Sequence, residues 1–285
     1  PIIGTQINFK ISNTVGLLPL FALNEAGYKN IIELSSSSYL KNDELSEPHV
    51  EFDNLLSNSN GVAIFSGTIL GLFGKLFDKG KFSEIHNLYD QIKKSFGDRF
   101  YIEIQRHNDL NEIGFEKFNL KKSSDLEIPI IATNEVFYLD KDMYEAHDAL
   151  LCIGNKTYVN EKNRLRLTDQ HYLKTNYEMS ELFADLPEAL ENNYNFPLRC
   201  NFRPLFSKPI LPNISKDKDE DANEIIKRDS FKGLKEKFIK FFDLELNELE
   251  KNKNFLIYKD RLDHELEIII KFRFLYSDRD QLRYL

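Results

Sequence analysis

Tryptophan is absent from the 285 residues, and cysteine and methionine occur only twice each. Two cysteines, Cys152 and Cys200, are too few for a disulfide framework or a cysteine zinc site. They read as buried thiols in a reducing cytoplasm. No run of roughly 18 or more apolar residues occurs, so no membrane span is expected. Positive charge is in deficit: 38 Lys and Arg face 46 Asp and Glu, a net charge of −8. This balance argues against a free-standing basic DNA-coating protein and leaves room for a local basic patch. Pro1-Ile2-Ile3-Gly4 is neither a signal peptide nor a start Met, and a chain that opens on Pro in an apolar stretch reads as a piece of something longer. What is there is ordinary for a folded protein. Hydrophobic residues make up 41% and charged residues 29%, which excludes wholesale disorder. The length suffices for one large domain or two modest ones.

Short apolar runs alternate with helical patterns. Strands are expected at Leu17 to Leu23, Gly61 to Gly67, Arg99 to Gln105 and Ile128 to Thr133. The last is nearly continuous in apolar character, as a parallel strand buried on both faces should be. Helices are expected from Asn24 to Tyr39 and over Phe82 to Phe96, where Ile85, Leu88, Tyr89, Ile92 and Phe96 keep helical spacing and Gly97 supplies the stop. Asp140 can cap a further helix to about Leu151, stopped by Gly154. This order predicts an α/β fold built on a parallel sheet or barrel. Near residue 200 the pattern changes. Pro197, Pro204, Pro209 and Pro212 punctuate an extended segment, and Ser215 to Asp221 reads as a charged linker. Helices follow at Ala222 to Phe242 and Tyr258 to Lys271. A domain boundary is therefore placed at about residue 205.

The bare motifs are sparse. Gly71-Leu72-Phe73-Gly74-Lys75-Leu76 fails the phosphate-loop pattern and reads as turns and helix packing. Six histidines are present, no two within five residues, so no helical His-x-x-x-His metal site exists. His107 lies just past the strand ending at Gln105, and Glu135 just past the strand ending at Thr133. Those are equivalent strand ends, where barrel folds place their chemistry. His86 reads as a solvated helix residue and His147 as a packing residue. The Lys-rich stretch from Lys232 to Lys253 could approach phosphates, but its interspersed acids favour a solvated helix face.

Several segments in one order are similar to a known family. They are Leu23-Asn24-Glu25-Ala26-Gly27-Tyr28-Lys29-Asn30, Phe96-Gly97-Asp98-Arg99-Phe100-Tyr101-Ile102-Glu103, Ala132-Thr133-Asn134-Glu135-Val136 and Glu145-Ala146-His147-Asp148. The most specific is Glu181-Leu182-Phe183-Ala184-Asp185-Leu186-Pro187-Glu188-Ala189-Leu190, and Arg261-Leu262-Asp263-His264-Glu265-Leu266-Glu267 closes the series. Together they resemble the bacterial replicative DNA polymerase III alpha subunits, over residues 1 to about 271.

The resemblance implies an α/β PHP domain over residues 1–204, a distorted seven-stranded β/α barrel whose first strands are missing. Residues 205–285 would be a linker and the mostly helical lead-in to the polymerase core. It implies a DNA-directed DNA polymerase as the parent chain, with the magnesium-binding aspartates of the palm outside this stretch, so the chain alone is expected not to polymerise. The PHP metal site reads as dismantled. Where metal-binding members carry an acid, this chain has Gln6; where they carry Cys, Thr68; where they carry His, Phe137. Only His107 matches a ligand outright, and Glu135 keeps a carboxylate. These two are the candidate vestigial metal residues, and no cofactor is expected in this stretch. The expected role is structural: docking a proofreading exonuclease subunit, with the sliding clamp and DNA held by other parts of the parent chain, in the cytoplasm and off the membrane. The alternative is an active metal-dependent PHP phosphoesterase or 3′–5′ exonuclease using His107 and Glu135. From Phe272 onward the sequence leaves the family pattern, which reads as a frame shift or a mispredicted gene end. Missing first strands would expose an apolar sheet edge and leave the chain marginally stable.

Overall fold

A computed structural model describes residues 1–42, 46–206, 222–242 and 249–277. The expected linker at 215–221 and the last residues, 278–285, lie outside them. The strands are β1 (Ile3–Ile11), β2 (Thr14–Ala22), β3 (Val50–Glu51), β4 (Val62–Phe65), β5 (Phe100–Ile104) and β6 (Ile130–Ala132). The helices before residue 206 are α1 (Glu25–Leu40), α2 (Phe52–Ser57), α3 (Leu72–Asp78), α4 (Phe82–Phe96), α5 (Leu110–Leu126), α6 (Tyr144–Asn155), α7 (Asn176–Leu182) and α8 (Pro187–Asn195). Beyond it come α9 (Ala222–Phe242) and α10 (Lys253–Ser277). No helix among the described residues is long and apolar enough to cross a membrane.

The strands form one six-stranded sheet in the order β3-β1-β2-β4-β5-β6. The parallel sheet expected from the sequence is mixed instead. β4, β5 and β6 run parallel, while β2 is antiparallel to both β1 and β4. The cause is a hairpin. β1 returns directly into β2 through Ser12 and Asn13, with Ser12 in the left-handed region at φ 52°. On its other side β1 pairs with β3 only at Phe9 and Lys10. Among the described residues the rest of that rim has no ladder partner.

Burial follows the strand period. Val62, Ile64, Phe100, Ile102, Ile130 and Ala132 belong to the main core with Phe9, Leu18 and Leu20. The alternating residues Ala63, Phe65, Tyr101 and Ile131 form a second core with Phe196 and Cys200. Both faces of the central strands are therefore covered, which is why these runs are apolar at every position but the buried Glu103 of β5.

Helix ends follow local chemistry. The Asn24 side chain caps α1 by accepting the Gly27 N–H at 3.0 Å. Gly27 itself is forced by packing, since a Cβ there would stand 1.9 Å from the Gly61 carbonyl oxygen. Gly97 ends α4 at φ 59°, as its sequence position predicts. The helix expected to start at Asp140 behaves differently. Residues Lys141–Met143 make a 3-10 turn first, and α6 then runs through Gly154 to end on Lys156 at φ 54°. One glycine in a helix costs only about 1 kcal/mol, too little to stop it there.

The Glu181–Leu190 block has a structural reason. Arg106, just past β5, donates to both carboxylate oxygens of Glu116 on α5 at 2.6 and 3.1 Å. It also donates to both oxygens of Asp185 at 2.6 and 2.8 Å, and lies 4.9 Å above the Phe183 ring. Phe183 is fully buried, and Pro187 opens α8 in the first turn, where no backbone N–H is needed. One guanidinium thus joins the end of β5 to α5 and to the α7–α8 junction.

The chain divides into two compact units, Pro1–Leu205 and Phe206–Leu285. In the second, α9 and α10 share a small core of Phe238, Leu249 and Phe255.

Candidate functional site

His107 follows β5 and Glu135 follows β6, and pairing of these adjacent parallel strands brings the two residues together. The Glu135 backbone N–H donates to His107 Nε2 at 3.3 Å. His107 Nδ1 lies 2.8 Å from Glu112 Oε1, and the His107 backbone N–H donates to Glu112 Oε2 at 2.6 Å. These bonds set the tautomer: the proton sits on Nδ1, and the Nε2 lone pair faces a backbone N–H. Glu112 is held in the first turn of α5, which Asp109 caps by accepting the Asn111 N–H at 2.9 Å.

His171 completes the cluster. Its ring lies flat on His107, with centroids 4.0 Å apart and planes 3° from parallel. A parallel bridge between Tyr138 and Tyr172 brings it there from far along the chain. His171 Nδ1 donates to the Glu135 carbonyl at 3.1 Å, and the Phe137 N–H donates to the His171 carbonyl at 2.9 Å. Burial, with His107 beside it, pulls His171 down to about 4. Burial also pushes the Glu135 carboxyl up; nearby Glu112 adds to that and His107 opposes it.

Gln6, Thr68, Glu135 and Phe137 line one cleft of about 280 Å³. These are positions that the resemblance assigns to one site. The other walls are apolar and include Leu17, Pro19, Leu151, Leu165 and Leu167. Leu165 and Leu167 come from the segment after α6, which is pinned by Arg164. This guanidinium donates to both oxygens of buried Asp148 at 2.6 Å each, and to the Val159 carbonyl at 3.1 Å. The ion pair holds the Asp148 carboxyl below its usual range.

The donor set does not fit a metal cluster. Gln6 brings an uncharged amide, Phe137 brings no donor atom, and the Thr68 hydroxyl already accepts the Leu70 N–H at 3.2 Å. The His107 Nε2 lone pair, the one a metal would take, already accepts the Glu135 backbone N–H. Among the described residues, no group of three His, Cys, Asp or Glu is arranged to hold a metal ion. Glu112, His171 and Arg164 were not found from the sequence. Glu112 had a local signal, since it stands three residues after the cap Asp109. His171 and Arg164 had none, because their partners are distant in the chain. His147 packs beside Phe137 with ring centroids 5.3 Å apart, and half-buried His86 lies 3.3 Å from the Lys122 ammonium.

Comparison with known proteins places the fold in context. Residues 1–107 match the sequence profile described as PHP domain. The chain is 37% identical over 257 residues to the DNA polymerase III subunit alpha of Caulobacter vibrioides, covering 90% of this chain and 22% of that protein. To the subunit alpha of Rickettsia bellii it is 34% identical over 276 residues, covering 96% of this chain and 24% of the relative. To that of Pseudomonas aeruginosa it is 31% identical over 258 residues, covering 90% and 22%. The chain therefore spans less than a quarter of the length of these relatives.

Proposed function

Since this chain belongs to the DNA polymerase III alpha-subunit family, we propose that it serves DNA replication as the N-terminal part of such a subunit, a structural and partner-docking domain whose PHP metal site is degraded. The observation that carries the degraded-site reading is His107. Its Nε2, the lone pair a metal would take, receives the Glu135 backbone N–H at 3.3 Å; the Nδ1 bond to Glu112 is one that a metal-bound histidine would also make. Gln6, Thr68 and Phe137 in the adjoining cleft support it, because none supplies an anionic or imidazole ligand.

In this reading the six-stranded sheet belongs to a distorted β/α barrel of the PHP type. DNA-directed DNA polymerase activity belongs to the whole subunit, of whose length in the relatives this chain covers less than a quarter. The partner docked on this domain is a proofreading exonuclease subunit. The sliding clamp and DNA are held by other parts of the parent chain, in the cytoplasm.

The test is metal content of the purified chain, with a manganese-dependent nuclease assay on single-stranded DNA using the same sample. The expected result is substoichiometric metal and no cleavage. Stoichiometric manganese, lost together with cleavage in His107→Ala, would replace this reading with a metal-dependent PHP phosphoesterase or 3′–5′ exonuclease using His107 and Glu135.

A further inference from the structure

Between β5, α5 and the turn after β4 lies a small cavity of about 10 Å³, close to the room one water molecule needs. Its wall includes Gly67, Glu103, Glu112, Glu116 and Asn119. Glu103 and Asn119 are each more than nine-tenths buried; Nδ2 of Asn119 has no partner, and Oε2 of Glu103 makes no hydrogen bond of good geometry, with the Gly67 backbone N–H facing the carboxyl. Their other atoms are engaged. Glu103 Oε1 accepts from Gln105 Nε2 at 3.0 Å and from the Thr133 hydroxyl. Asn119 Oδ1 accepts the Tyr89 hydroxyl at 3.0 Å.

The donor directions around these groups form an almost complete circuit. The Glu103 backbone N–H donates to Ser66 Oγ at 2.9 Å, and the Ser66 hydroxyl faces that of Tyr89. Tyr89 donates to Asn119. This fixes the amide with its N–H side free, and returning from there to Glu103 needs one group that accepts a proton and also bonds a carboxyl oxygen. We infer that the cavity is a binding site for a single internal water molecule, which accepts from Asn119 Nδ2 and hydrogen-bonds Glu103 Oε2. A buried donor and acceptor left unpaired cost more than immobilising one water. A metal ion does not suit the place, because the amide presents N–H to it. The water closes the circuit and joins α4, α5 and β5 beneath the candidate site, with each bond polarising the next.

The test uses the whole chain. A crystal structure at about 1.5 Å should show density within hydrogen-bond distance of both Glu103 Oε2 and Asn119 Nδ2. In solution, the Asn119 side-chain amide protons should give a nuclear Overhauser effect to water. Glu103→Gln, which keeps the shape and the hydrogen bonds, should retain both signals, and Asn119→Leu should lose the density. A dry cavity in the wild-type chain, metal-like contacts there, or density that persists in Asn119→Leu would overturn the inference. Should Asn119→Leu fail to fold, the wild-type density and the Glu103→Gln spectrum decide the matter.

Discussion

At the residue scale, burial keeps His171 neutral. Burial against His107 lowers it from the ordinary 6.5 to about 4. Below pH 6.5 the unfolded chain takes up a proton that the folded chain refuses. Stability present above pH 6.5 is therefore lost as pH falls toward 4, by about 3 kcal/mol for this one group. Glu103 and Glu135 are pushed up by burial and act with the opposite sign, since the folded chain binds their protons more readily. The difference between wild type and a variant isolates the histidine. His171→Asn keeps a donor for the Glu135 carbonyl and does not titrate. In urea unfolding, the stability of wild type minus variant should fall by about 2–3 kcal/mol between pH 7 and pH 4. A difference that stays flat across that range would show that His171 is not held neutral.

At the element scale, two glycines separate packing from propensity. A Cβ on Gly27 would stand 1.9 Å from the Gly61 carbonyl oxygen, so Gly27→Ala must push α1 away from the turn before β4. The expected cost is about 3 kcal/mol. Gly233 lies inside α9 with no atom within 4 Å of where its Cβ would be. Gly233→Ala should stabilise by up to about 1 kcal/mol through helix propensity alone. Thermal unfolding of both variants checks the pair, and equal effects would contradict the packing argument. Elements with a strong periodic face were legible in the sequence. α4 starts at Phe82 and ends before Gly97 as read, and α9 spans the expected residues. α5 went unread because only Phe115 and Asn119 of its 17 residues are buried, which leaves almost no apolar stripe. β1 went unread although Ile3, Thr5, Ile7 and Phe9 alternate with Gly4, Gln6 and Asn8, because the polar residues on both faces blur the period. α10 starts at Lys253, five residues before the expected start at Tyr258, and takes in the apolar run Phe255-Leu256-Ile257.

At the scale of the whole molecule, the two units carry separate cores. Both sheet cores lie wholly within residues 1–205, and the α9–α10 core lies beyond them. Residues 1–205 expressed alone should unfold like the full chain, with a midpoint within about 4 °C of it, the shift that roughly 1 kcal/mol makes at this size. Circular dichroism of both checks this, and a transition lost or broadened only in the shorter chain would show that the first unit depends on the second. What the sequence by itself determined was local or cumulative. The α/β alternation, the strand ends bearing His107 and Glu135, and the family motifs are all readable within short windows. The tertiary structure decided the rest, because the stacking of His171 on His107 and the tie from Arg106 to Asp185 depend on pairings between distant segments. No window of sequence holds both partners of such a pairing, and only the buried faces that must meet bring them together.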